Sequence, residues 1–533
     1  MKSISRLLGL LLCLAIMFSM AACGKDTGGT PAGGDPGKIE TPSGNAPDQS
    51  GTNADGVTSS RDTLRVMASG DNGTLDPVGM SDDWYFIAPV YMETLWDTNE
   101  NFETVWRLAT SYDVISPTNI IVHLREGVTF SNGNPFNVDD VLFSLTLWRD
   151  TPSRWFVVRT VDFEKTAAID EFTLDLYFNE APVNFGLGVS VCDAESYDPV
   201  EATMKPVGTG PYVVEEYLVN SHVHFVARED YWGQKPIIKN IQFKVINEAA
   251  QQVNALVTGT VDVSVVPTYD IEYVKTLPGY DVKVDFNAHC SYIMFNLDKS
   301  SISSNLDARY AVCYAVDRNA VASLVYNGYA EVTNIPVTMA TTDYEPRLAN
   351  LHDTYSKGYN PELARKYAES SGLIDSGIRI MTNGSAEYTA LAELIQNSLK
   401  EIGVTAEIIS ADQITFFMAF GEDPESADIW LYETITGDRT SYTALTTAAM
   451  CAILIADDSW PGVARYDELR IQYPFLNEQE RRDALYEMVQ VFTEGCPWFG
   501  LCDLMRATAF PNDLRGVEFS VLGSLYYNYL WFE

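Results

Sequence analysis

Histidine is scarce in this chain: there are five in 533 residues, at His123, His222, His224, His289 and His352. None begins an HExxH pattern, and only His222 and His224 are spaced to share one face of a strand. Two imidazoles are half of a tetrahedral metal site, so no metal is expected there. The cysteines form no CxxC pair, which removes zinc-ribbon and thioredoxin-type chemistry. GxSxG and GxxxxGK[ST] are also missing. Gly208-Thr209-Gly210-Pro211 lacks the third glycine of a dinucleotide loop and reads as a rigid turn, so no cofactor is expected. Basic charge is short as well. Lysine and arginine total 35 against 73 acids, a formal charge of -38, which repels nucleic acid. No pair of those acids stands in a diagnostic catalytic setting. The absences favour a binding protein over an enzyme.

Long apolar runs are missing too, with one exception at the start. Lys2 and Arg6 precede an apolar stretch from Leu7 to Met20, which ends in Met20-Ala21-Ala22-Cys23. A charged start and a short apolar core make a secretory signal, too short to span a membrane comfortably. The small residues before Cys23 resemble a bacterial lipobox, whose cysteine becomes the lipid-bearing N-terminus. Residues 1–22 are then the signal peptide, and 23–61 form a flexible linker poor in large apolar side chains. This places the protein outside the cytoplasm, on the outer face of the cell membrane. Cleavage makes the chain more negative by two. Six cysteines remain beyond Cys13 and Cys23, and Cys496 and Cys502 are close enough in sequence to bridge in an oxidising exterior; buried free thiols are the alternative.

The body begins near Asp62 and is long enough for two or three domains. Thr63 to Ala68 alternates as a strand, and Asn119 to Arg125 forms another. Asn137 caps a helix with Asp139 and Asp140 in its first turn and Val141, Leu142, Leu145 and Trp148 inward. Asn247 caps a helix that stops at Gly259, and Val261 to Val265 continues as a strand. Asn360-Pro361 opens a helix closed by Gly372. Leu391, Leu394, Ile395, Leu399 and Ile402 mark a helix ended by Gly403; Asn477 starts one stopped by Gly495. No internal repeat is evident. The alternation predicts α/β domains with mixed sheets and a ligand cleft between them.

Several blocks, in order, resemble one family. They are Trp106-Arg107-Leu108-Ala109, Gly127-Val128-Thr129-Phe130-Ser131-Asn132-Gly133, Asp139-Asp140-Val141, Pro206 to Tyr212, and Asp230-Tyr231-Trp232-Gly233. Asn254 to Asp262, Asp307 to Val312, Ala315 to Arg318 and Asn360 to Gly372 continue the series. They are similar to the family 5 extracellular solute-binding proteins, the peptide- and nickel-type receptors of bacterial ABC importers. The resemblance implies a two-lobed periplasmic-binding-protein-like fold with an extra subdomain in the first lobe. Its expected parts are 62–97 and 207–285 for the first lobe, 98–206 for the subdomain, 286–503 for the second lobe, and 504–533 for a return to the first. It implies a monomer that passes a small solute, a peptide first of all, to permease subunits. An oligosaccharide or metal-chelate receptor is the alternative, and a secreted hydrolase is a more distant one.

Peptide-binding members hold the ligand's amine with an aspartate after a strand of the second lobe. Ala427 to Tyr432 reads as that strand, with Trp430 and Tyr432 on it, and Asp438 follows. The resemblance therefore makes Asp438, Trp430 and Tyr432 candidate ligand residues. Arg439-Thr440-Ser441 departs from the family's continuation there. The loop after the first strand adds Asp83, Trp84 and Tyr85.

Overall fold

The computed structural model describes residues 57–533 apart from 81, 102, 152–153, 180–187, 334, 336, 339–340, 342, 350, 352–357, 413–414, 417–418, 420–422, 424, 436–439, 447–459 and 521–522. Cys23, the signal and most of the linker lie outside the described residues, as does Asp438.

The chain opens with β1 (Thr63–Ala68) and a 3-10 segment, Asp82–Val90. A short antiparallel pair, β2 (Trp96–Thr98) and β3 (Thr104–Trp106), leads into β4 (Ala109–Ser116), β5 (Asn119–Leu124), β6 (Ala167–Asp170) and β7 (Thr173–Tyr177). The last four form their own antiparallel sheet in the order β4-β5-β7-β6. Helix α1 (Val138–Asp150) covers it, burying Val141, Leu145 and Trp148 in a core with Leu108, Ile120, Val122, Phe130 and Leu174. Asn137 accepts the Asp139 N–H at 2.7 Å, and Asp140 accepts the Asn137 N–H at 2.9 Å, so the expected cap is a reciprocal one.

The chain then returns. β8 (Tyr212–Leu218), β9 (His222–Ala227) and β10 (Asn240–Val245) add to β1 in the order β1-β10-β9-β8, with β1 and β10 parallel. Leu64, Val66, Tyr91, Phe225 and Phe243 fill this second core. The return passes through Gly208-Thr209-Gly210, where a Cβ on Gly208 would lie 2.0 Å from the Tyr91 carbonyl oxygen. The rigid turn is thus also a close crossing that only glycine permits.

Helix α2 (Ala249–Val257) follows, capped one residue later than expected, at Glu248 without a side-chain bond. The strand expected from Val261 begins at Ser264 (β11, Ser264–Val266), because Asp262 and Val263 both donate N–H groups to the Arg65 carbonyl and run beside β1 first.

The largest sheet joins two bodies. It contains β11, β12 (Tyr280–Phe295), β13 (Ala330–Val332), β14 (Ile378–Thr382), β15 (Ala406–Ser410), β16 (Ile429–Ile435) and β17 (Trp498–Pro511), in the order β11-β17-β12-β16-β14-β15 with β13 also on β17. β12 and β17 pair along their whole length, and their register breaks between Phe286 and His289. On one side of that break, residues 280–286 and 505–511 pack toward the first body. On the other, residues 289–294 and 498–504 belong to the second. A bulge at that point bends the ribbon where the two bodies meet.

The second body packs α3 (Leu306–Ala315), α4 (Pro361–Ser371), α5 (Ala386–Glu401), α6 (Val463–Gln472) and α7 (Glu478–Gly495) around β12, β14 and β16. Leu391, Ile395 and Leu399 of α5 are fully buried, each contributing about 1.5–3 kcal/mol of apolar burial. Gly372 and Gly403 end their helices in the left-handed region, as their positions predict. Helix α7 does not stop by Gly495; Cys496 takes the left-handed cap at φ 51°. Of the two readings left open for Cys496 and Cys502, the structure gives buried thiols with no bridge between them. Cys496 Sγ lies 3.4 Å from Cys313 Sγ, whereas Cys502 is carried away along β17 to rest against the Arg318 carbonyl. All five described cysteines are buried.

The two bodies contain the same small unit. In the first, Arg65 of β1 clamps Asp262: its N–H and Nε donate to Oδ2 at 2.8 and 3.0 Å, and Nη2 donates to Oδ1 at 2.9 Å. In the second, Arg379 of β14 clamps Asp428 in the same pattern at 2.9, 3.0 and 3.1 Å. β1 runs parallel to β10 and bridges Val263; β14 runs parallel to β15 and β16. A structural repeat therefore exists where the sequence shows none.

Candidate functional site

The second body turns several acids and phenols toward the first. Glu433 lies on β16 opposite Ser291 of β12, and its Oε2 is 3.7 Å from His289 Nδ1. Glu387 stands in the first turn of α5, where Ser385 is the N-cap and accepts the Tyr388 N–H at 3.3 Å. A first-turn acid is ordinarily favoured in its charged form by the helix dipole. Here the opposite effect wins: burial, and then the charge of Glu433, push Glu387 up to about 7. The residue is solvent-exposed at the start of its helix, on the side of the second body that meets the first.

Two tyrosines back these acids. Tyr326 is buried, and Tyr388 is 5% exposed with its hydroxyl lacking a partner among the described residues. Burial, followed by the charge of Glu433, raises the Tyr388 phenol well above its ordinary value; burial and then Glu387 do the same for Tyr326. The first body supplies the facing wall. Tyr269, 60% exposed in the 3-10 turn Thr268–Asp270, is raised by burial, then by Asp270 and then by Glu387. That last influence crosses from one body to the other.

Beside this opening the bodies touch. Lys275 Nζ donates to the Tyr329 hydroxyl at 2.7 Å, and that hydroxyl donates to Glu272. Asn327 Nδ2 donates to Thr268 Oγ1 at 3.4 Å. The Tyr329 carbonyl accepts the Met505 N–H at 3.1 Å, so these contacts sit beside the β12–β17 register break.

The residues expected from sequence fall unevenly around it. Trp430 is 0% exposed in the second core and offers no surface to a solute. Tyr432 is half-buried and stacks on Phe416, ring centroids 6.1 Å apart. Asp83, Trp84 and Tyr85 lie on the 3-10 segment after β1, but their side chains are outside the description. Asp438 is outside it as well. His222 and His224 each reach a glutamate of β8, His222 Nε2 to Glu216 at 3.2 Å and His224 Nδ1 to Glu215 at 2.8 Å. Among the described residues no group of three potential metal ligands exists. Sequence reasoning missed Glu387, Glu433, His289 and Tyr388. Glu387 looks like any acid placed after a serine cap, and only the fold sets it beside Glu433.

Comparison with known proteins agrees with this architecture. The model for bacterial extracellular solute-binding proteins, family 5 (middle), matches residues 103–447. Heme-binding protein A of Haemophilus influenzae is 24% identical over 441 residues, covering 75% of this chain and 79% of that protein. A dipeptide-binding protein of Pseudomonas aeruginosa is 23% identical over 410 residues, covering 69% and 75%. The crystal structure of a dipeptide-binding protein from Pseudoalteromonas, in complex with Met-Leu, superposes with a TM-score of 0.75 at 19% identity, covering 88% of this chain and all of that one. The last likeness establishes the two-lobed fold.

Proposed function

This chain belongs to the bacterial extracellular solute-binding proteins of family 5, and from that premise we propose that it is a lipid-anchored receptor that captures peptides and hands them to an ABC importer. The family is extracytoplasmic and works with ABC permeases. The observation that carries the peptide reading is a pair of second-lobe carboxylates, Glu433 on β16 and the exposed Glu387 at the start of α5, which influence each other electrostatically. Carboxylates suit a ligand with ammonium and amide donors. The dipeptide-binding relatives point the same way. The lobes are taken as 62–97, 207–285 and 504–533 for the first, with its subdomain at 98–206, and 286–503 for the second. Cys23 is the proposed anchor, and a Cys23→Ser form should be released from membranes; unchanged retention would contradict it.

Asp438 is the proposed partner of the ligand's amine, three residues past β16. An ammonium loses water when the lobes close, and a fixed carboxylate compensates. Asp438→Asn should cost on the order of 3–5 kcal/mol in peptide affinity, and N-acetylation of the peptide should cost the native protein a similar amount. Calorimetry with the free and acetylated forms of one tripeptide on both proteins decides it. If acetylation costs nothing, Asp438 is not an amine anchor. Metal chelates then move ahead, as the heme-binding relative would suggest.

A further inference from the structure

We propose that Cys313 and Cys496 are joined by a disulfide in the mature protein, a covalent staple between α3 and the corner where α7 turns into β17.

Three features of the fold meet at this pair. The first is distance. Cys313 Sγ lies 3.4 Å from Cys496 Sγ, and both side chains are buried in the second core. Bonded sulfurs stand about 2.0 Å apart, so the two must approach by about 1.4 Å, which small rotations about their Cα–Cβ bonds supply. The other described cysteines are held elsewhere. Cys192 lies in the first lobe's core, Cys290 turns toward the Ile335 carbonyl, and Cys502 rests against the Arg318 carbonyl.

The second feature is backbone conformation. Cys496 ends α7 at φ 51°, in the left-handed region. The other described non-glycine residues with positive φ are both asparagines, Asn220 and Asn327. Glycine and asparagine suit a left-handed cap for reasons of their own backbone chemistry. Cysteine has no such advantage, and its presence there points to a use for the sulfur.

The third feature is charge. Arg309 stands one turn before Cys313 on α3, and its Nη2 donates at 3.0 Å to the carbonyl of Gly495, the residue before Cys496. Arg309 is fully buried, and among the described residues its guanidinium bonds only backbone carbonyls, the others being those of Ser303 and Ser304 at 2.9 Å. A guanidinium beside a cysteine favours the thiolate, which is the form that attacks a disulfide.

The chemistry is thiol–disulfide exchange with a disulfide oxidant. One cysteine thiolate attacks a sulfur of that reagent, forming a mixed disulfide and expelling the reagent's other sulfur as a thiolate. The second cysteine thiolate then attacks the first cysteine's sulfur and expels the remaining reagent sulfur. Two electrons pass to the oxidant, and the two cysteine protons end on its two thiols. The bond forms while the second lobe is folding, before the core closes, so burial of the sulfurs in the native state protects the product. Family 5 receptors stand outside the cytoplasm, where such bonds persist. The cysteines are 183 positions apart, and closing so long a loop restricts the unfolded chain strongly.

The test is a peptide map of the full-length protein exported by its own signal, alkylated with iodoacetamide during denaturation and cut with trypsin without reduction. The expected product is Tyr310–Arg318 joined to Asp483–Arg506, lighter by two hydrogens than the separate peptides, with Cys502 alkylated. Fragmentation of the larger peptide separates Cys496 from Cys502. Finding Cys313 and Cys496 both alkylated, or a link through Cys502, would overturn the assignment. Thermal unfolding gives a second readout. Reduction with a phosphine should lower the melting temperature of the native protein by on the order of 5 °C and leave that of Cys313→Ala unchanged. Equal responses of the two proteins, or no response of the native one, would overturn the staple. The map and the native protein's response hold even if Cys313→Ala does not fold.

Discussion

Arg65 in the first lobe and Arg379 in the second hold the same position on equivalent strands, yet their aspartates are supported differently. Asp262 serves two arginines: Arg61 Nη1 donates to it at 2.9 Å alongside Arg65, and the Arg61 guanidinium lies 3.6 Å over the Phe532 ring. The first lobe thus ties its clamp to the last strand of the chain, β19 (Trp531–Phe532), which pairs with β18 (Leu514–Arg515). Asp428 has one arginine and the Ser301 hydroxyl, which donates at 2.7 Å. The clamp in each lobe fixes a parallel strand, and in open α/β sheets ligands bind beyond the carboxyl ends of such strands. In the second lobe the segment leaving that end is Asn383 to Tyr388 and carries Glu387. In the first it leads to Asp82–Val90 and, beyond it, to the whole subdomain. The two lobes share the clamped parallel unit, with a short connection between its strands in the second lobe and a long one in the first.

The clamps offer the strongest way to break this comparison. Asp262→Ala and Asp428→Ala each remove a buried acceptor of several charge-assisted hydrogen bonds, and each should cost about 3 kcal/mol, since the arginines can still turn toward water. The loss should be local. Pulsed alkylation of the reduced protein in urea should expose Cys290, Cys313, Cys496 and Cys502 early in Asp428→Ala, whereas Cys192, packed in the first lobe's core, should become reactive early in Asp262→Ala. Simultaneous exposure in both variants would mean the lobes unfold as one unit. The second clamp also has an acid limit. Burial alone would raise the Asp428 carboxyl, but hydrogen bonds from Arg379 and Ser301 hold it below the usual range. Its contribution is present above the unfolded carboxylate's pKa and is lost as pH falls through the folded value, so second-lobe stability should drop below about pH 4.

A smaller effect separates the lobes at the other end of the scale. Glu387 is raised, not lowered, so the folded ligand-free state holds its proton more tightly than the unfolded one. This group favours folding below about pH 4.5 and loses that contribution as pH rises to about 7. Glu387→Gln should therefore raise the melting temperature of the empty protein slightly at pH 8 and leave it unchanged at pH 5, by differential scanning calorimetry. A fall at pH 8 would place Glu387 in a structural ion pair and not in an open cleft.

Much of this architecture is readable in sequence because it is local. Asn137, Asn360 and Asn477 cap the helices they were expected to cap, and Gly372 and Gly403 end theirs, since caps and left-handed turns depend on neighbours in the chain. The ordered blocks from Trp106 to Gly372 carried the family. What escaped was set by contacts across the fold. The repeat reduces to Leu64-Arg65-Val66-Met67 against Ile378-Arg379-Ile380-Met381, with Val261-Asp262-Val263 against Ala427-Asp428-Ile429, too little to stand out over so long a separation. Cys496 looked toward Cys502 because they are near in sequence; β17 carries them apart, and α3 brings Cys313 instead. Trp430 sits on the expected strand but on a fully packed part of it, a distinction that alternation alone cannot make when both faces of a strand are covered.

The account's central claim is that the two lobes, hinged at the Phe286–His289 break, close over a solute between them. Small-angle scattering of the protein, stripped of ligand and then saturated with a tripeptide that calorimetry shows to bind, tests it most directly. Only a ligand that touches both lobes can shift the open–closed balance. The prediction is a smaller radius of gyration in the saturated sample. An unchanged scattering curve with a tightly bound peptide would contradict the hinge and the cleft together.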